Sequence, residues 1–135
     1  MNKLWGEIDR RGYMRVSVKN TELWIKRKKD KDLRISEIGF VKDISMGGIS
    51  FYSSPEDLNM NDTVEMHFRL HHWGHLDLTG RVVHIQKTTY NGEKLWIYGA
   101  EFVKLDSVAR KIIKDYVLEK LSLDRFFKDT PQTAT

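Results

Sequence analysis

Hydrophobic and polar residues alternate along much of the chain, which is the pattern of β-strands with one buried face. The clearest alternation covers residues 64–70, and a longer one covers residues 76–85. Residues 95–102 repeat the pattern, and less regular alternation occurs in residues 16–25 and 35–51. The pattern therefore predicts six or seven short strands that follow one another along the chain.

A tight turn is predicted between the last two of these strands. The tetrapeptide Thr89-Tyr90-Asn91-Gly92 contains Asn-Gly, a pair that tolerates the positive φ angles of a two-residue hairpin turn. Many short strands joined by tight turns are typical of an antiparallel barrel or sandwich.

One amphipathic helix is expected after the last strand. Asp106 or Ser107 can cap its start, and we expect it to cover residues 106–122 with a break near Ser122. Its apolar residues follow the spacing of a single helix face: Ala109, Ile112, Ile113, Tyr116, Val117 and Leu121.

No internal linker or repeat divides the chain, so residues 1–127 are interpreted as one domain. Residues 1–14 are polar and lack periodicity, which predicts a flexible basic arm. Residues 128–135 are expected to form a disordered tail. The chain has 135 residues, of which 40% are hydrophobic and 31% charged, and this composition excludes a fully disordered protein.

Several classes of protein are excluded by simple counts. The chain has no cysteine, which excludes disulfides, thiolate zinc sites and a cysteine nucleophile. No segment approaches the roughly 18 consecutive apolar residues that a membrane span needs. The first residues, MNKLWGEIDRR, contain acidic residues where a signal peptide would need an apolar run. We therefore expect a cytoplasmic location.

The net charge of +4 is unevenly distributed along the chain. Residues 1–34 contain 11 Lys and Arg against 5 Asp and Glu, and the remainder contains 12 against 14. A local basic surface favours a phosphate-bearing partner such as a nucleotide, a nucleic acid or an anionic lipid. The alternative is a solvated face that only increases solubility.

Two segments contain residue types that strand formation does not explain. The first holds Arg10, Arg11 and Arg15, whose guanidinium groups suit bidentate recognition of phosphate or of the guanine O6 and N7 atoms. The second is Asp43-Ile44-Ser45-Met46-Gly47-Gly48, in which an acceptor, a hydroxyl and two glycines allow close approach of a ligand. Taken separately, the first is also explained as basic surface, and the second as a hairpin turn with an Asx-type bond.

Together, the two segments resemble the signature of the PilZ domain, a family of bacterial receptors for cyclic di-GMP. Arg11-x-x-x-Arg15 is followed by Asp43-x-Ser45-x-x-Gly48, and every defined position matches. Weaker similarity extends through Gly80-Arg81-Val82-Val83 and Tyr98-Gly99-Ala100-Glu101-Phe102 to the closing helix. The resemblance implies a six-stranded antiparallel β-barrel with a C-terminal α-helix, whose arginine arm wraps back onto the barrel.

The resemblance also implies roles for individual residues. Arg11 and Arg15 would hold phosphates and guanine edges, and Asp43, Ser45 and the Gly48 backbone would hold a guanine. An arginine at position 10 is associated in the family with binding two stacked ligand molecules, so Arg10 is included in the expected cyclic di-GMP site.

The predicted function is that of a binding module and not of an enzyme. We expect the ligand to order the arm and to signal through an unidentified protein effector, with no cofactor and with the chain a monomer or weak dimer. The family serves motility, polysaccharide export and virulence control. The alternative is a small basic barrel that binds single-stranded nucleic acid; a hydrolase using Asp43 is disfavoured because no base and nucleophile are recognisably paired.

Four of the five histidines lie within nine residues, His67, His71, His72 and His75, but a strand-to-strand loop explains them better than a metal site. We therefore expect no metal. His84 could stack on a guanine if it faces the ligand, although an ordinary half-exposed strand histidine is the favoured interpretation.

Overall fold

The structure is a computed structural model that describes residues 13–27, 37–53 and 58–129. These residues form seven strands, a short 3₁₀ turn at His71–Trp73 and one long helix. The elements are β1 (Val16–Ser17), β2 (Glu22–Arg27), β3 (Glu37–Ile44), β4 (Gly48–Ser53), β5 (Thr63–Arg69), β6 (His75–Tyr90), β7 (Glu93–Lys104) and α1 (Ser107–Asp129).

Six of the strands close into an antiparallel barrel, as the sequence predicted. Around the ring the order is β2, β3, β4, β7, β6 and β5, and β5 pairs again with β2. The two-residue strand β1 lies outside this ring, where Val16 pairs with Ile44 and Ser17 with Asp43 of β3. Arg15, which directly precedes β1, is thereby brought to the end of the β3–β4 hairpin.

The barrel interior is filled by the inward-facing residues of the predicted alternation. On β5, Val64, Met66 and Phe68 are fully buried, while the residues between them face outward. Each such side chain contributes about 1.5–3 kcal/mol when it is removed from water. The same strict alternation on β5 and on the first half of β6 fixes which side chains face solvent on these two strands.

The hairpin between β6 and β7 turns at the predicted place. Asn91 and Gly92 adopt φ values of 52° and 80°, which are the left-handed angles that the Asn-Gly pair tolerates. The prediction of this turn is confirmed.

Helix α1 begins at the predicted position and packs through its predicted face. The Asp106 carboxylate accepts a hydrogen bond from the Ala109 N–H at 2.7 Å, so Asp106 is the N-cap. The residues of the predicted apolar face that are buried are Ala109, Ile113, Tyr116 and Val117.

Tyr116 connects the helix to β1. Its hydroxyl donates to the Ser17 carbonyl oxygen at 3.4 Å. Burial, with a smaller contribution from Glu119, raises the pKa of Tyr116 to about 12, so the hydroxyl keeps its proton in any physiological buffer. The helix thus makes a hydrogen bond to β1, the strand that follows Arg15.

The helix is longer than expected, and the predicted break near Ser122 is wrong. It continues to Asp129 without glycine or proline, and a serine inside a helix costs only a few tenths of a kcal/mol relative to alanine. Residues 128 and 129 therefore belong to the helix and not to a tail. Residues 130–135, and all of the predicted arm except residues 13 and 14, lie outside the described residues.

Within the described residues, no helix is both long enough and apolar enough to cross a bilayer.

Candidate functional site

The turn between β3 and β4 is organised by Ser45. Its hydroxyl oxygen accepts hydrogen bonds from the N–H groups of Gly47 at 3.1 Å and Gly48 at 3.2 Å. The Ser45 N–H also donates to the Gly48 carbonyl at 2.9 Å. An Asx-type bond from Asp43 was the alternative expected for this turn, but the side chain that bonds to the turn backbone is that of Ser45. This serine therefore has a structural role in shaping the loop.

Gly48 is required by the close approach of β4 to β7. A methyl group at position 48 would lie 2.4 Å from the Ala100 carbonyl oxygen and 3.2 Å from the Glu101 Cα. Both contacts are with backbone, which cannot move aside without disturbing the barrel. The glycine is thus explained by strand packing, and the same absence of a side chain leaves the wall beside the turn open.

Asp43 lies at the centre of three paired strands. Its Cα is opposite Ser17 of β1 and Ser50 of β4, and a bulge between Val41 and Asp43 interrupts the ladder just before it. The side chain is buried, and Oδ2 accepts from the Lys42 ammonium at 3.2 Å. Oδ1 is buried and has no hydrogen-bond partner among the described residues. A buried acceptor without a donor costs about 1–3 kcal/mol, so Oδ1 is a candidate ligand contact.

An open pocket of about 330 Å³ lies between the β3–β4 turn and the middle of β6 and β7. Four parts of the chain contribute to its walls. They are Arg15 before β1, the turn and the start of β4 (Ser45, Gly47, Gly48, Ile49 and Ser50), Val83 and His84 of β6, and Gly99, Ala100 and Glu101 of β7. Its volume is at the lower end of the range for small-molecule sites.

A bulge in β6 gives the pocket its second wall. The β6–β7 register shifts between Val82, which pairs with Ala100, and His84, which pairs with Gly99. Val83 and His84 consequently both line the pocket, whereas consecutive residues of a regular strand would point to opposite faces of the sheet. Gly99 leaves room for the histidine, because a methyl group there would lie 3.2 Å from the His84 Cβ.

The charges around the pocket are compatible with an anionic ligand. Arg15 contributes a half-buried guanidinium to the wall. Glu101, a carboxylate on the wall, accepts a hydrogen bond from Arg81, its cross-strand partner on β6. This pairing offsets the negative charge of Glu101, so that Arg15 can attract an anion.

The structure brings together three of the six residues proposed from the sequence. Arg15, Ser45 and Gly48 line one pocket, whereas Asp43 lies next to it through its cross-strand partner Ser50. Arg10 and Arg11 lie outside the described residues.

Val83, Gly99 and Glu101 were not predicted as wall residues from the sequence. His84 was predicted to be an ordinary half-exposed strand histidine that does not contact a ligand. His84 does line the pocket. The two segments that resembled the family signature more weakly, around Arg81 and Gly99, were the available signal for this wall.

The sequence model of the PilZ domain family matches residues 9–119, which is most of the chain. The chain belongs to the PilZ domain family. This match includes the PilZ motif positions from Arg11 to Gly48 and all of the strands described above. A search of curated proteins gave no match.

Solved structures have the same fold as this PilZ domain at low sequence identity. The PilZ domain of Escherichia coli YcgR, solved with c-di-GMP, superposes with a TM-score of 0.68 at 14% identity, covering 91% of this chain and 100% of that one. The K. pneumonia MrkH–c-di-GMP complex gives 0.69 at 18% identity, covering 90% and 57%. Bacillus subtilis MotI, an inhibitor of motility, gives 0.65 at 15%, covering 92% and 55%. This chain therefore spans just over half the length of MrkH and MotI.

Proposed function

We propose that this PilZ domain is a receptor for cyclic di-GMP that transmits the signal through contact with a protein partner. The observation that carries the proposal is the meeting of Arg15 with the Ser45–Gly48 turn at one anion-compatible pocket of a PilZ barrel. YcgR and MrkH, which share the fold, have been solved with c-di-GMP. Ligand binding is the proposed activity, with no catalytic step and no resident cofactor.

The chemistry of cyclic di-GMP matches the groups around the pocket. Each half of the ligand offers a phosphate and a guanine, which need a cation, a bidentate donor and an acceptor. We assign Arg15 to a phosphate or to the guanine O6 and N7 atoms. Asp43 Oδ1, a buried acceptor with no donor within residues 13–27, 37–53 and 58–129, is assigned to the guanine N1 and N2 donors. The Ser45–Gly48 turn would then hold the base through its backbone.

His84 extends this proposal to the second wall. Its exposed ring lies on β6 beside the pocket and makes a long contact of 3.5 Å with Gln86. Aromatic rings bind nucleobases by stacking, with an effect of about 1–3 kcal/mol per base. We therefore assign His84 to stacking on a guanine.

Signalling would use the basic residues that precede Arg15. Arg10 and Arg11 carry positive charges close to Arg15 in the sequence, and these charges repel one another until phosphates neutralise them. Ligand binding would order residues 1–14 over the pocket and create a surface for an effector protein. Such an order–disorder transition is an established type of switch. We propose a cytoplasmic monomer or weak dimer that acts in this way.

Calorimetric titration with cyclic di-GMP tests the proposal, with GTP and a short single-stranded DNA as competing candidates. Arg15→Ala should weaken cyclic di-GMP binding at least about tenfold, because a hydrogen bond to a charged group contributes about 1.5–3 kcal/mol. The matched control is Arg110→Ala, which removes an exposed arginine of α1 that does not line the pocket. This control should bind like the unmodified chain.

Two results would contradict the proposal. Preferential binding of DNA with a steep dependence on salt would favour the single-stranded nucleic-acid interpretation. Equal affinities for the Arg15→Ala variant and the unmodified chain would remove Arg15 from the site.

A further inference from the structure

The register of β5 and β6 brings two histidines and one aspartate onto one patch of the outer barrel wall. His67 of β5 lies directly opposite Asp77 of β6. His75 precedes Asp77 by two residues on the same strand and so faces the same side. Leu76 and Leu78, which alternate with them, are buried, so all three side chains face outward. None of the three lines the pocket described above.

The three side chains converge on a single oxygen atom. Asp77 Oδ1 lies 2.6 Å from His67 Nδ1 and 2.9 Å from His75 Nε2. One nitrogen of each ring and one carboxylate oxygen all lie within 4.8 Å of one another. The hydrogen bond from His67 lowers the pKa of Asp77 below its ordinary value, partial burial opposes the lowering, and His75 adds to it. The cluster therefore presents an ionised carboxylate between two imidazoles.

Sequence spacing alone predicted no metal, but the strand register places His67 opposite Asp77, and we propose that His67, His75 and Asp77 form a binding site for a divalent transition-metal ion of the Zn²⁺ class. Imidazole nitrogens and carboxylate oxygens are the donors that such ions prefer in proteins without cysteine. This site goes beyond the proposed cyclic di-GMP function and is independent of it.

The geometry needs little adjustment to accept the ion. Zinc binds these donors at about 2.0–2.2 Å, so two donors of a tetrahedral ion lie about 3.3 Å apart. The Asp77–His67 distance must therefore open by about 0.7 Å and the Asp77–His75 distance by about 0.4 Å, while the two imidazole nitrogens, which lie within 4.8 Å of each other, must reach the same separation of about 3.3 Å. His75 and Asp77 are exposed and His67 is half-buried, so side-chain rotation can supply this change while the strands stay paired. Water fills the remaining coordination position, because the patch faces solvent.

Charged neighbours on the outer face act in opposite directions. Arg69 lies across from His75 and disfavours a cation, whereas Glu65 lies two residues before His67 and favours one. Glu65 is also 3.8 Å from the Lys26 ammonium. These side chains are exposed or partly exposed, so solvent screens their effects on the ion. Direct ligation by the three donors determines the affinity.

Metal binding would leave a signature in the histidine tautomers. Without an ion, His67 Nδ1 and His75 Nε2 face the carboxylate of Asp77 as hydrogen-bond partners. An ion needs the lone pairs of these same nitrogens. The proton of neutral His67 must then sit on Nε2 and that of neutral His75 on Nδ1, with exchange through water. The two rings are therefore expected to adopt opposite tautomers in the metal-bound protein.

The test uses the 135-residue chain without a histidine tag, titrated with zinc chloride by calorimetry. We expect one zinc per chain, with affinity reduced at least about tenfold in His67→Gln, His75→Gln and Asp77→Asn. The matched control is His72→Gln, an exposed histidine of the 3₁₀ turn that lies outside the cluster. This control should bind zinc like the unmodified chain. Histidine-ring ¹⁵N NMR should show the two opposite tautomers in the zinc-bound protein.

Thermal melting without zinc establishes whether each variant is folded. If a histidine variant unfolds, Asp77→Asn, which keeps the side-chain shape, shows whether zinc binds at this site. Zinc affinity unchanged by Asp77→Asn and by the folded histidine variants would locate the ion elsewhere and overturn the proposal. Absence of binding at millimolar zinc would leave the three residues as a hydrogen-bonded network and would overturn it equally. A cyclic di-GMP titration of the same variants should be unaffected, which separates this test from that of the proposed receptor function.

Discussion

Asp43 is the residue whose surroundings separate a ligand-binding role from a structural one. In the part of the chain that the structure describes, its Oδ1 has no hydrogen-bond donor, and its other oxygen contacts the partly exposed Lys42. A group that stabilised the turn would have both oxygens satisfied by nearby N–H groups, as the Ser45 hydroxyl does with Gly47 and Gly48. Such an acceptor opposes folding instead of stabilising the turn, which supports the proposed contact of Asp43 with a ligand.

Replacing Asp43 by alanine should weaken cyclic di-GMP binding at least about tenfold, since a hydrogen bond to a charged group is lost. The free energy of unfolding should change by less than about 1 kcal/mol, because the loss of a partly exposed ion pair is offset by removal of an unsatisfied acceptor. Calorimetry and urea unfolding measure the two quantities. Asp115→Ala is the matched control, since Asp115 pairs with Lys111 on α1 and does not line the pocket.

The opposite pattern would contradict this argument. A loss of about 2 kcal/mol or more in stability, with ligand affinity unchanged, would mean that Asp43 supports the barrel and leaves the ligand to other residues.

At this scale, sequence spacing predicted which residues meet but not what each one does. The motif spacing anticipated that Arg15, Ser45 and Gly48 would be close together. It did not reveal that Ser45 bonds to its own turn or that Gly48 avoids a clash with Ala100. These details depend on the distance between β4 and β7, which is set by tertiary packing and is not encoded in a local pattern.

The secondary-structure elements were predictable where one face of each is buried and unpredictable where it is not. The alternation on β5 and the Asn91-Gly92 turn were read correctly, since each follows from local chemistry. The bulge at Val83 was not predicted, because a bulge breaks the alternation from which strands are recognised. The wall that contains His84 was missed for this reason.

The start of α1 gives a prediction for an element. Asp106→Ala should lower the free energy of unfolding by about 0.5–2 kcal/mol, because the N–H of Ala109 would lose the acceptor that now lies 2.7 Å away. Ser107→Ala is the matched control at the next, exposed position, and it should change stability by less than about 0.5 kcal/mol. Urea unfolding of both variants measures the difference. Equal losses in the two variants would show that the Asp106 carboxylate does not stabilise the first turn as a cap.

On the scale of the whole molecule, the closed barrel and the basic segment, residues 1–34, would make separate contributions to ligand binding. The barrel supplies a preformed pocket of about 330 Å³ with Arg15 at its edge. All of the excess positive charge belongs to residues 1–34, which precede or surround the first two strands in the sequence, because the remainder has a net negative charge. In the proposed receptor, the pocket would fix a guanine and the basic segment would neutralise the phosphates that project from it.

The number of arginines in the basic segment predicts how many ligand molecules bind to each chain. Arg10, Arg11 and Arg15 provide more guanidinium donors than one ligand molecule needs from this segment, whereas a stacked pair of molecules brings four phosphates and four guanines. We therefore expect two cyclic di-GMP molecules per chain. Arg10→Ala should shift the ratio toward one and retain measurable binding, and Arg110→Ala should leave it at two. Calorimetry at ligand concentrations well above the dissociation constant measures the ratio, and a value near one for the unmodified chain would mean that Arg10 is not part of the site.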